Sequence, residues 1–237
     1  MFIDDNTDHE SSELLSRFAG ECPDAVHIVS GDAADRSAGY RREEFTHHWD
    51  DRAIWKVAAY KNRIIDHCLQ HACDALFLVD SDLLLYPETL RMLWDSGKPI
   101  VSEIFWTRWQ PTAGPLPQVW LRDEYTLFES HGREKLTEGE MLLRQVAFLA
   151  KLRIPGVYEV GGLGACTLIR KFALEKGVHF GKIKNLSFWG EDRHFCIRAA
   201  AMGLELFVDT HVPAFHIYRE TDIQEAVEWM NANYGSS

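Results

Sequence analysis

The sequence predicts an α/β protein, a three-layer sandwich around a mostly parallel central sheet. Three observations carry that reading. Residues 75–79, Ala-Leu-Phe-Leu-Val, are an apolar run of strand length with no polar face, as a strand covered on both sides requires. The run ends abruptly on Asp80-Ser81-Asp82, two carboxylates where an open sheet offers the carboxyl ends of its strands to ligands. Strand-like and helix-like stretches then alternate through the first half, before a more mixed second half.

Each element has its own signal. Phe2 and Ile3 read as the tail of a strand, so an earlier first strand is expected, missing before Met1, in a shortened chain or an abbreviated relative. Thr7 and Glu10 have capping-box spacing before a helix through Leu14, Leu15 and Phe18. Residues 25–30, "AVHIVS", predict a strand, and the long polar stretch 31–51 a loop of the kind that covers a site or is mobile. Ile54, Val57, Ala58, Lys61, Ile64, Ile65, Cys68 and Leu69 keep helical spacing up to the central strand. A helix near 87–96 opens on Pro87, and a strand near 99–105 follows.

The segment "WTRWQPTAGPLPQVWL" is rich in Trp, Pro and Gly and reads as a shaped loop. Thr137 and Glu140 repeat the capping-box spacing ahead of Met141, Leu142, Val146 and Leu149. "GVYEVGGLGACTLIRKFAL" predicts a strand, a glycine turn and a second strand running into a helix. "SFWGEDRHFCIRAAAMG" predicts a short loop and a helix stopped by Gly203. "LELFVD" and "VPAFHIY" are two extended stretches, and a last helix has a Thr221–Gln224 box. No repeat and no domain boundary interrupts the 237 residues, a length suited to one large domain.

Charge narrows the function. Lys plus Arg total 25 against 36 Asp plus Glu, a formal charge of −11. That balance argues against general nucleic-acid binding and against an anionic membrane surface, both of which need basic residues. No apolar run approaches the length of a membrane span and no leader opens the chain. The five cysteines are odd in number and lack zinc spacing, so reduced thiols in a cytoplasmic protein are expected.

Asp80 and Asp82 repel one another unless something positive sits between them, and a magnesium or manganese ion meets that need with few protein ligands. Glu191 and Asp192 open a helix, where carboxylates also suit the dipole with no further role, but Trp189-Gly190 before them resemble a pocket wall. His216 is either a half-buried strand histidine bonded to backbone or a further metal ligand; His211 is the weaker candidate. Gly161, Gly162 and Gly164 do not fit the dinucleotide fingerprint, leaving a tight turn or a close approach to substrate. His67 and His71 lack the glutamate of a zinc helix and read as a solvated face, as do His47-His48.

Taken together, "IDDNTD", "VDSDLLL", "GGLGACTLIRK", "WGEDRHFCIRA" and "FHIY", in this order over residues 3 to about 218, resemble the GT-A nucleotide-sugar glycosyltransferases, especially the inverting family 2 type. The resemblance implies a GT-A, Rossmann-like sandwich with a nucleotide-binding half at 1–105 and an acceptor-binding, catalytic half at 106–237. Asp4 or Asp5 would face the base, and Lys56 or Lys61 the donor nucleotide or diphosphate. Asp80, with Ser81, would contact the ribose side, and Asp82, with Asp80 and His216, the metal (Mn2+ or Mg2+). Asp192 matches the catalytic base and Glu191 its neighbour; Trp106, Trp109, Trp189 and Gly162 would line the acceptor side.

The implied reaction is metal-dependent hexosyl transfer from a nucleotide sugar, most simply a UDP-sugar, to a hydroxyl of a glycan, peptide or small molecule, inverting the anomeric centre. The QxxRW signature of processive synthases is absent, since residues 195–199 read "FCIRA", so one sugar per encounter is expected. Two alternatives stand beside it: a sugar nucleotidyltransferase, which wants a basic phosphate loop near its first strand, and a degenerate, non-catalytic sugar- or protein-binding module.

Overall fold

Phe2–Asp4 (β1) is a strand in its own right, paired in parallel with Ile28–Ser30 (β2) across helix α1, His9–Glu21. The computed structural model describes residues 1–31, 40–42, 47–110, 113–122, 124–187 and 190–235, with backbone alone for 40–42 and 47–49. Asp8, not Thr7, caps α1: its carboxylate accepts the backbone N–H groups of Glu10 and Ser11. Tyr40–Arg42 (β3) and His47–Trp49 (β4) form a small antiparallel pair inside the predicted loop. The rest of that loop's chemistry, the His47 and His48 side chains included, lies outside the described residues.

Helix α2, Asp51–Gln70, starts on Asp50, whose side chain takes Ala53 N–H at 2.8 Å. Its buried stripe is Ala58, Lys61, Ile65 and Cys68, the helical spacing of one face. A lysine on that stripe is the anomaly, and the site below explains it.

Ala75–Leu78 (β5), Leu83–Leu84 (β6), Ile100–Thr107 (β7), Leu116–Pro117 (β8), Val157–Val160 (β9), Thr167–Arg170 (β10) and Leu206–His216 (β11) make the main sheet. Its path is β5-β10-β7-β11-β6, with β8 on β7 and β9 on β11. The expectation of a mostly parallel sheet is corrected here. β7–β11 is parallel; the β10–β5, β10–β7, β11–β6, β11–β9 and β7–β8 pairs are antiparallel. Apolar runs read alike in both directions, and strand direction comes from how the connections return, which periodicity does not encode.

Helices cover both faces of the sheet. On one side, α2, the helices Glu138–Lys151 (α4) and Lys171–Glu175 (α5), and Glu191–Ala201 (α6) enclose the large core around Ile65, Leu78, Ile104, Phe148, Ile169 and Phe195. On the other, helix α3 (Thr89–Asp95) sets Leu93 against Val101, Leu168 and Phe207. Alternate residues of β7, Ile100 and Val101, thus go to opposite cores, the strand period at work.

Further differences are local. The two extended stretches near the end are one strand, β11, continuous from Leu206 to His216. Its register against β7 shifts between Asp209 and Ala214, and such irregularities re-aim the residues that follow. His216 is thereby set opposite Leu83, one residue beyond Asp82. The Thr221–Gln224 box does not open the last helix, α7 (Ile223–Tyr234); instead the Asp222 carboxylate accepts N–H of Tyr218 and Arg219. The capping box at Thr137 and Glu140 forms as expected. No helix among the described residues is long and apolar enough to cross a membrane.

Candidate functional site

The carboxyl end of β5, the end of β11 and the first turn of α6 open on one cleft of about 960 Å³. Asp80 and Asp82 enter it from the turn after β5, His216 from β11, Glu191 and Asp192 from α6. Aromatic groups (Phe105, Trp109, Trp120, Tyr125 and Tyr218) form much of the wall. Asp80, Asp82, Glu124, Glu191 and Asp192 are all carboxylates, and no Lys or Arg lines the cleft among the described residues. Any anionic ligand therefore needs a cation to accompany it.

At one pole, His216 Nε2 lies 3.3 Å from Asp82 Oδ2, and His216 Nδ1 lies 2.7 Å from the hydroxyl of Thr107. The Thr107 hydroxyl fixes the ring orientation through Nδ1; with the N–H on Nδ1, Nε2 would be left as a lone-pair donor, the arrangement metal-binding imidazoles use. The turn is tied to the strand as well, since Ile217 N–H donates to the Asp82 carbonyl at 2.9 Å. Asp80 also lines a small second cavity, with Lys61, Gly164 and Asp192. Among the described residues no group of three His, Cys, Asp or Glu side chains is arranged to hold a metal. Asp82 and His216 make two donors, which suits an ion that completes its shell with waters and phosphates.

At the opposite pole, Lys61 Nζ reaches Glu191 Oε1 at 2.8 Å and Asp192 Oδ1 at 3.0 Å. Burial alone would lower the lysine's pKa, but the charges of Asp192, Asp80 and Glu191 hold it well above the ordinary value. Burial pushes Asp192 up to about 7, with Lys61 opposing and Glu191 and Asp80 adding to the rise. A carboxyl in that range exchanges a proton near neutrality. Gly164 is the glycine that matters to the cleft: a Cβ there would stand 3.1 Å from Asp192 Oδ2.

Several predicted site residues lie elsewhere. Asp5 is bound by Lys56 at 2.7 Å and by the Tyr60 hydroxyl at 3.0 Å, on a different face of α2 from Lys61. Asp4 accepts the backbone and side-chain N–H groups of Asn6, which lower its pKa. Asp4, Asp5 and Lys56 are thus near one another and do not line the cleft; Ser81 is exposed and does not either. Trp106 is turned to Arg153, whose guanidinium lies 3.4 Å from its ring centroid, whereas Trp109 lines the cleft edge-on to Tyr218. Gly162 serves packing: a Cβ there would come within 2.0 Å of the Trp120 ring, and one at Gly161 within 2.0 Å of the Leu121 carbonyl. Trp189 lies outside the described residues. His211 is bonded to Asp209 at 2.6 Å and does not line the cleft.

No protein-family model matches the chain, and no curated protein does. Among solved structures it is similar to one titled "Crystal Structure of A197 from STIV", at 17% identity and a TM-score of 0.45, over 92% of this chain and 84% of that one. A likeness that distant assigns no chemistry, so the site must be read from its own residues.

Thr107, Lys61 as a partner of the α6 carboxylates, and Tyr125 were not legible as site residues. Thr107 and His216 are 109 positions apart, and no spacing rule links them. The one available signal was Lys61 itself, a charge on an otherwise apolar helical stripe.

Proposed function

We propose that the protein is a metal-dependent, non-processive glycosyltransferase of the GT-A type, acting on a nucleoside-diphosphate sugar. The observation that carries the reading is one cleft lined both by a carboxylate–imidazole pair, Asp82 and His216, 3.3 Å apart, and by a buried carboxyl at a helix start, Asp192, whose pKa burial raises. A divalent ion, bound by Asp82 and His216, would supply the positive charge that the leaving diphosphate needs and the cleft wall lacks. Thr107 holds the His216 ring in place for that role through Nδ1. Asp192 takes the proton of an acceptor hydroxyl as its oxygen attacks the anomeric carbon and the bond to the diphosphate breaks. Glu191 stands beside it, held by Lys61 at 2.8 Å. Trp109 and Tyr218 offer apolar ring faces of the kind on which sugars stack.

A nucleotidyltransferase would bind a triphosphate, for which the described cleft residues offer no basic side chain. The first test is a thermal-shift panel of UDP, GDP, CDP and dTDP with and without manganese. A ligand confined to the folded state stabilises it by about 2.7 kcal/mol at a hundredfold excess over Kd. Stabilisation by one nucleotide only with manganese is expected; no shift with any of the four overturns the reading. Asp192→Asn should lower turnover roughly 10²–10⁴-fold while calorimetry finds nucleotide affinity unchanged.

A further inference from the structure

Lys61 takes no part in the reaction just described, yet it is 7% exposed and carries a charge. Its stem passes the Phe180 ring, with Nζ 5.1 Å from the centroid, and its head ends among the carboxylates of α6 and β5. Desolvating an ammonium that far is costly unless opposite charges meet it at hydrogen-bond distance. They do, at 2.8 and 3.0 Å. The first turn of α6 has Gly190, at φ +90°, as its N-cap with no side-chain cap; Arg193 ties it back to Ser187, and Lys61 is what holds its two carboxylates. Oδ1 of Asp192 is held by Lys61, while Oδ2 lies against Gly164 on the cleft wall.

We propose that Lys61 is a positioning residue: by holding Oδ1 of Asp192 and Oε1 of Glu191, it leaves Oδ2 of Asp192 as the oxygen presented to an acceptor hydroxyl in the cleft. The inference rests on Asp192 being the base. Orientation is the point of the contact, because a carboxylate free to rotate offers either oxygen and spends time aimed at neither. The charge matters equally. Asp192 is faced by Glu191 on its own helix, by Asp80 from the end of β5, by Tyr125 from the cleft wall and by Cys196 one turn further on; Lys61 from α2 is the cation bonded to it. Without that cation the base is left among carboxylates and holds its proton to higher pH.

The test compares the wild type with Lys61→Met, Lys61→Gln and Lys61→Arg. Carbon-13 carboxyl NMR of the free protein reads the titration midpoint of Asp192, and circular dichroism checks the fold. In the two neutral variants the midpoint should rise by about one pH unit or more, and in the arginine variant it should stay near the wild-type value. Gln keeps the hydrogen-bonding head, so it reads the same quantity if Met does not fold. With manganese and the nucleotide sugar found by the thermal-shift panel, turnover at pH 7 should fall roughly 10²-fold in the neutral variants at unchanged donor KM, and recover in the arginine variant. The acidic limb of the turnover profile should move up in pH with the NMR midpoint. A midpoint that moves while the wild type turns over no nucleotide sugar supports the clamp and overturns the reaction assigned to it. A midpoint unmoved in a folded neutral variant overturns the clamp, whatever the turnover.

Discussion

Two glycines three residues or fewer apart, Gly162 and Gly164, lack side chains for different reasons, and substitutions separate them. A Cβ at Gly162 would overlap the buried Trp120 ring, so Gly162→Ala should cost about 1–3 kcal/mol, read as a lower denaturant midpoint. A Cβ at Gly164 meets only Asp192 Oδ2, at 3.1 Å, which must yield by a few tenths of an ångström. Gly164→Ala should therefore leave the melting temperature nearly unchanged and lower turnover about tenfold, short of the ~10²-fold that a full ångström of misplacement costs. The opposite pattern would return Gly164 to packing. Thr107→Val keeps the volume behind His216 but removes the hydrogen bond on Nδ1, and manganese affinity should drop roughly 10–100-fold by calorimetry.

Among the elements, α4 and α6 start in contrasting ways. Helix α4 has a complete capping box, in which Thr137 accepts Glu140 N–H and Glu140 reaches back to Thr137 N–H at 2.8 Å. Thr137→Ala should cost about 1 kcal/mol and lower the melting temperature by about 2–4 °C, with no effect on nucleotide binding. Helix α6 has no such cap, and its first-turn carboxylates are committed to Lys61 and the cleft. Strand β11 is the other element on which the site depends. It pairs with β7 over Leu206–Asp209, shifts register, and only then carries His216 to the turn after β5.

Over the whole molecule the sheet also buries a titratable group that does not line the cleft. Glu103 of β7 is fully buried beside Asp209 of β11, its register partner. Burial first, and Asp209 second, push Glu103 up to about 9, with the backbone N–H groups of Ile104 and Val212 tempering the rise. The folded state thus holds this proton more tightly than the unfolded chain, whose glutamate ionises near its ordinary value. Stability contributed here is complete below the unfolded value and is lost as pH rises toward about 9, by at most about 1.4 kcal/mol per pH unit. Glu103→Gln removes that proton exchange, so its melting temperature relative to the wild type should climb steadily between pH 6 and 9. A constant offset across that range would mean that Glu103 is ionised throughout.

Composition and local pattern in the sequence determined the α/β class, the strand ending at Asp80, the helix opening on Glu191 and Asp192, and the box at Thr137, because each depends on residues within a few positions of one another. Asp80, Asp82, Asp192 and His216 were legible as candidates for the same reason: carboxylates and an imidazole at the ends of apolar strands, or at a helix start, are conspicuous in a string. Strand direction was not legible, since a buried strand reads the same both ways. Nor was the partition of the aspartates, with Asp82 beside His216, Asp80 turned to Lys61, and Asp5 taken by Lys56 and Tyr60 on another face of α2. Those pairings join residues from 19 to 134 positions apart. They follow from the register of β11 and the rotation of α2, and only the packed tertiary structure sets either, because only there do the alternative partners for each charge compete within hydrogen-bond distance.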